Sequence, residues 1–120
     1  MTKRQRLGRW GEDLAANELA QRGYTILVRN WRCAYGELDL IARDETWLVA
    51  VEVRTRRSLV FGSPEESLTT AKQARLAAAM QTYVQTVNWT GPWRIDVVAI
   101  VLGGHDQVER LSLIKNAVGG

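Results

Sequence analysis

Apolar residues recur at three- and four-residue spacing between residues 7 and 22, with Leu7, Trp10, Gly11, Leu14, Ala15 and Leu19 on one side. That period predicts an amphipathic helix, and Gly23 follows it where a left-handed residue ends a helix. The period then shortens. Tyr24 to Val28 is aromatic and β-branched and predicts a strand, followed by a basic, irregular connection over Arg29 to Tyr35. Glu37 to Arg43 and Trp47 to Arg54 predict a hairpin across the polar turn Asp44, Glu45 and Thr46. Alternation sets Leu38, Leu40 and Ala42 on one face with Val49, Val51 and Val53. The opposite face collects Glu37, Asp39, Ile41, Leu48, Ala50, Glu52 and Arg54. A four-residue loop that takes in Trp47 sets Asp39 directly across from Glu52, with about 5 Å between their Cβ atoms.

The stretch Thr55, Arg56, Arg57 and Ser58 ends the hairpin, and Ser63, Pro64, Glu65 and Glu66 read as a capping box. A helix continues or restarts through Ala71 to Val87, and Asn88 to Pro92 breaks it. Two last strands, Trp93 to Leu102 and Val108 to Ile114, flank the turn at Gly103, Gly104 and Asp106. The order α-β-β-β-α-β-β predicts an α/β fold, a mixed central β-sheet flanked by helices, as one domain over residues 1–120.

Composition narrows the chemistry. The chain has 120 residues, 46% of them apolar, with one Cys and one His. A fold of that length has a radius of gyration of about 14 Å and needs no staple. Cys33 has no intramolecular disulfide partner, and His105 stands far from any zinc-finger spacing, so disulfide and zinc scaffolds are excluded. No His stands at a nucleophile's spacing from Cys33, which argues against a thiol enzyme. The longest apolar run, Val97 to Leu102, is far short of the roughly 20 residues that cross a bilayer, so no membrane partner is expected. Gly8, Arg9, Gly11, Glu12 and Asp13 stand where a signal peptide needs an apolar stretch, and the expectation is a cytoplasmic protein. The net charge is +3, and all the excess lies in the first half, with eleven Lys/Arg against eight Asp/Glu in residues 1–60.

Two carboxylates side by side on a sheet repel each other and stay ionised only beside a cation. Mg²⁺ or Mn²⁺ suits Asp39 and Glu52, because these ions take oxygen ligands and are held by one or two carboxylates plus substrate phosphates. Arg54 lies about 7 Å further along the same face, within reach of such a phosphate. The set suits phosphodiester hydrolysis. Cross-strand ion pairs of Asp39 or Glu52 with Arg54 or Arg43 account for the same residues. Glu12 is either a third ligand or a charge favoured near a helix N-terminus.

Gly8, Gly11-Glu12, Gly23-Tyr24, Asn30, Gly36 to Ala42, Val51 to Arg56, Phe61-Gly62, Pro64, Lys72 and Arg94 to Ile100 together resemble the YraN family of uncharacterised bacterial proteins over nearly the whole chain. That family is similar in fold to archaeal Holliday-junction resolvases and to the restriction-endonuclease-like superfamily. Its signature is an Asp followed, on the next strand, by Glu-x-Lys. The resemblance implies that Asp39 and Glu52 are the motif acids, Arg54 the Lys position and Glu12 the acid of the first helix. It also implies metal-dependent DNA cleavage, on branched or junction DNA, of the class used in repair or recombination. Arg54 departs from the pattern, because a guanidinium cannot act as a general base. Lys72 either supplies a migrated amine or is an exposed helix lysine.

Nucleic-acid contact is expected from Arg56 and Arg57, from Arg29 and Arg32, and from the Lys3 to Arg9 arm. Trp31 is the expected stacking residue among the five Trp, with Trp10, Trp47 and Trp93 assigned to the core or its edge. Asp96 either supports the site or pairs locally with Arg94. The leading expectation is a metal-dependent nuclease with DNA favoured over RNA; the alternatives are a non-catalytic nucleic-acid-binding protein and a protein-interaction subunit with structural carboxylates. Symmetric cleavage of two strands would require a homodimer.

Overall fold

Thr2 starts the first helix. Its hydroxyl accepts from the Gln5 amide at 3.1 Å while the Gln5 side chain accepts from the Thr2 amide at 2.9 Å, closing a capping box. Helix α1 (Lys3–Gln21) therefore begins four residues before the apolar period that predicted it. It ends as expected at Gly23, whose φ is +94°, with Tyr24 N donating to Leu19 O at 2.9 Å and Gly23 N to Ala20 O at 3.1 Å.

The structure is a computed structural model that describes residues 1–57 and 62–118, so Ser58 and Phe61 lie outside the described residues. After α1 come β1 (Thr25–Cys33), β2 (Gly36–Asp44) and β3 (Trp47–Arg56). A 3₁₀ turn (Glu65–Ser67), α2 (Thr70–Thr86) and β4 (Trp93–Leu102) follow, then a second 3₁₀ turn (Gly104–Asp106) and β5 (Val108–Ile114). The strands form one mixed sheet in the order β1-β2-β3-β4-β5. β3 and β4 run parallel, and every other neighbouring pair is antiparallel. This is the expected α/β order α-β-β-β-α-β-β.

The structure corrects the sequence reading in two details and settles a third that the sequence left open. The basic stretch from Arg29 is not irregular: it continues β1 to Cys33, paired with β2 as far as Cys33↔Gly36. An edge strand takes its stability from backbone pairing on one side, so charged side chains give no apolar period there. The second helix restarts rather than continues. Ser63 Oγ accepts from Glu66 N at 3.3 Å over a single 3₁₀ turn, and Thr69 then caps α2 by accepting from Lys72 N at 3.2 Å.

The second correction concerns which face each side chain takes. Leu48 and Ala50 belong to a core shared with Leu76, Ala79, Met80 and Tyr83 of α2, whereas Val49 and Val51 belong to one shared with Ala15 and Leu19 of α1. The two helices thus cover opposite faces of the sheet. Leu40 and Ala42 join the α1 side as predicted, but Leu38 joins the α2 side. The alternation of β2 changes phase around Asp39. Across from Asp39, between the pairs Arg29↔Leu40 and Trp31↔Leu38, stands Asn30 with a left-handed φ of +55°. β1 changes phase with it, since Val28 and Trp31, three residues apart, both pack on the α2 side. One left-handed residue thereby re-aims two strands.

β4 is buried from Arg94 to Leu102 and carries a fully buried carboxylate, Asp96. Its Oδ1 accepts from Arg94 Nε at 2.9 Å and from Asn116 N at 2.9 Å, and its Oδ2 accepts from Tyr24 Oη at 2.8 Å. Arg94 also donates to Asp44 at 2.6 Å and lies over the Trp47 ring at 5.4 Å. Asp96 is thus a structural anchor that ties β1, the β2–β3 turn and the segment after β5 to the central strand. Replacing Arg94 by Ala leaves that carboxylate buried without its cation. Urea melts of Arg94→Ala are expected to show a loss of about 3–5 kcal/mol; a loss below about 1 kcal/mol would show that the network is not what holds these segments.

Candidate metal centre

Gly11 sets the position of the first acid. It is buried where α1 crosses β3, and a Cβ there would collide with Thr55 Oγ1, so the helix backbone lies closer to the strand than a larger residue allows. The next residue, Glu12, is carried to Asn30, within the β1–β2 pair. Asn30 there donates from one Nδ2 to Glu12 Oε1 and to Glu37 Oε1, both at 2.9 Å. Asn tolerates the left-handed backbone better than most residues, and its amide is a double donor. The same residue thus turns the strand and clamps two carboxylates.

Glu12, Glu37 and Asp39 each bring a carboxylate oxygen within 4.8 Å of the others. Asp39 accepts from Val53 N at 2.9 Å. The hairpin pairing runs from Asp44↔Trp47 to Leu40↔Val51 and stops one residue short of Asp39 and Glu52, which the same register would set opposite each other. The turn itself is tighter than expected, with Glu45 at φ +55° and Thr46 between the last paired residues, but the register is the one the sequence predicted. Burial, followed by a hydrogen bond and charge repulsion from Glu52, pushes the Asp39 carboxyl up to about 9. Burial also raises Glu12, with Asn30 opposing and the charges of Asp39 and Glu37 adding to the rise.

Glu52 faces a second concavity, of about 230 Å³, with Arg54, Lys72 and Arg75. Arg54 Nη2 lies 3.3 Å from Glu52 Oε2, while its buried Nε has no hydrogen-bond partner among the described residues. Lys72 is half-buried, and its Nζ donates to Ser67 O at 3.3 Å. Asp39, Glu52, Arg54, Glu12 and Lys72 therefore gather at one end of the β2–β3 pair.

The other expected contacts disperse. Arg32 pairs with Glu37 at 2.8 Å, Arg29 with Asp13 at 2.6 Å, and Arg57 with Asp106. Arg56 donates to Thr55 O at 3.3 Å. Trp31 does not stand free for stacking: the phase change turns its ring onto Tyr83, edge-on at 5.2 Å. The sequence reading passed over Glu37 and Asn30. Glu37 could have been found, since it stands two residues before Asp39 on a strand.

A donor set of three carboxylates and an adjoining fourth suits a hard divalent cation. Oxygen is its preferred ligand, and its charge relieves the crowding that holds a proton on Asp39.

The sequence profile of the Uncharacterised protein family UPF0102 matches residues 11–100. The UPF0102 protein of Roseiflexus castenholzii is 49% identical over 97% of this chain and 95% of its own. That of Herpetosiphon aurantiacus is 47% identical over 93% of this chain and 95% of its own. That of Caldicellulosiruptor saccharolyticus is 43% identical over 98% and 99% respectively.

Asp39 makes the metal-free fold pH-dependent. Its carboxyl is raised from 3.8 to about 9 in the folded chain, so folding favours the protonated form. Stability from this group is complete below about pH 4 and is lost as the pH rises towards 9. In EDTA, the thermal midpoint should be lower at pH 8.5 than at pH 5, and Asp39→Asn should remove most of that drop. Parallel pH curves for the two proteins would contradict the assignment.

Proposed function

The chain belongs to the UPF0102 family, and from that premise we propose that it is a divalent-metal-dependent nuclease that hydrolyses phosphodiester bonds in DNA. The observation that carries this reading is the group of three carboxylates, Glu12, Glu37 and Asp39, with oxygens within 4.8 Å, beside the Glu52–Arg54 pair. Glu12, Glu37 and Asp39 would hold Mg²⁺ or Mn²⁺, with Glu52 adjoining. When bound, such an ion polarises a phosphate and lowers the pKa of water.

The chain's own residues supply the rest. Val53 N and Asn30 fix the orientation of three carboxylates before any substrate arrives. Arg54 keeps Nη2 on Glu52 and places a positive charge in the concavity where a phosphate would lie. Lys72 and Arg75 line the same concavity and add positive charge where a polyanion would lie. The resemblance to restriction-endonuclease-like proteins supports the reading, with acids in register on neighbouring strands and Arg54 in the Lys position.

Arg54 also favours a second reading. A guanidinium stays charged and cannot take a proton from water, and this one is already engaged with Glu52 at 3.3 Å. A protein of that kind would bind DNA without cutting it.

Labelled single-stranded, duplex, flap and four-way-junction DNA, incubated with Mg²⁺, Mn²⁺ or EDTA, tests the two readings. The nuclease reading predicts metal-dependent cutting. Asp39→Ala and Glu37→Ala should reduce it by more than the roughly 100-fold that loss of an outer hydrogen-bond partner of a metal ligand costs. Binding without cutting in every metal would overturn it in favour of the second reading.

A further inference from the structure

On the side of α1 away from the acidic group lies a groove of about 910 Å³. Lys3, Arg4 and Arg6 from the first turns of α1 line it, and none of the three forms an ion pair among the described residues. Leu7 and Leu102 give it an apolar floor. Trp10 stands in its wall with 40% of its surface open to solvent. At the far rim Arg57 pairs with Asp106, which neutralises the groove's single acid. A set of unpaired cations beside an exposed indole matches one chemistry, a flexible chain of phosphates that carries flat aromatic groups. A duplex keeps its bases stacked inside and offers none to Trp10, so the occupant is a single strand.

We propose that this groove binds single-stranded nucleic acid, with Lys3, Arg4 and Arg6 contacting phosphates and Trp10 stacking on a base. The occupant's class rests on the nucleic-acid reading above, but its binding does not require cleavage. Trp10 and Glu12 are two helix positions apart, so they leave α1 about 200° apart around its axis. On the Glu12 side a separate groove of about 580 Å³ runs past Gly8, Arg9, Asn30 and Arg32. The first half of α1 thus stands between two grooves lined by basic residues, and only the second of them is lined by Glu12. A strand in the Trp10 groove is held apart from the strand presented to Glu12, which makes DNA with a single-stranded branch or overhang the substrate class.

The direct test is fluorescence anisotropy of a labelled oligothymidylate with the full chain in EDTA, over a series of salt concentrations. Trp10→Ala should weaken binding by about tenfold, and Trp10→Phe, which keeps a ring, should recover most of that loss. Lys3→Ala with Arg6→Ala should lower the slope of log affinity against log salt by about 1.4. Binding unaffected by Trp10→Ala, or equal weakening by Trp10→Ala and Trp10→Phe, would overturn the proposal. Because EDTA removes cleavage from the measurement, a failed nuclease assay would leave this result standing, and the reverse also holds.

Discussion

Glu12, Glu37 and Asp39 come from two separate elements, and holding their oxygens within 4.8 Å of one another costs free energy that a proton or a cation relieves. Much of the architecture around them serves to impose that crowding. Gly11 lets α1 approach β3, Asn30 clamps Glu12 against Glu37, and Val53 N fixes Asp39. Burial, with Glu52 approaching from the neighbouring strand, pushes the Asp39 carboxyl up to about 9. An ion pair would have been the relaxed solution, as at Arg94 and Asp96, two residues apart on β4, where each charge meets its opposite. The same sheet thus contains one buried acid that meets its own cation and one acidic group in which Glu37 pairs with Arg32 and Glu52 with Arg54, while Glu12 and Asp39 have no ion pair among the described residues.

That contrast separates scaffold from site. The Asp96 network lies in the buried part of β4 and is satisfied by Arg94, Tyr24 and Asn116. The acidic group lies where β1 and β2 change phase, at the end of the β2–β3 pair and in contact with two solvent-facing concavities. Backbone irregularity and unrelieved charge coincide there, a combination found where local rules yield to function. Arg54, with one nitrogen on Glu52 and another without a partner among the described residues, stands at the same place.

The sequence made much of this legible. Period-two patterning located β2 and β3, a nearly continuous apolar run and the turn after it located β4 and β5, and a loop taking in the polar turn after Asp44 set Asp39 against Glu52. Gly23 marked the end of α1, and its start was written in the spacing of Thr2 and Gln5. What escaped depended on contacts that no local pattern encodes. The edge strand β1 is held by backbone pairing, so its Arg-rich half gave no strand signal. The positive φ of Asn30 is fixed by its partners, and from it follow the departure of Leu38 to the α2 side and the seating of Trp31 on Tyr83. Alternation alone puts Glu37 beside Asp39, and only the folded chain adds Glu12 through the bridging amide of Asn30.

The central claim is that this crowding exists for a divalent cation, and the most direct measurement is anomalous diffraction from crystals of the protein grown with Mn²⁺. The account predicts a peak bounded by Glu12, Glu37 and Asp39, within reach of Glu52, and its loss in crystals of Asp39→Asn. A well-ordered acidic group with no anomalous peak at saturating Mn²⁺, or a peak confined to some other part of the surface, would contradict it.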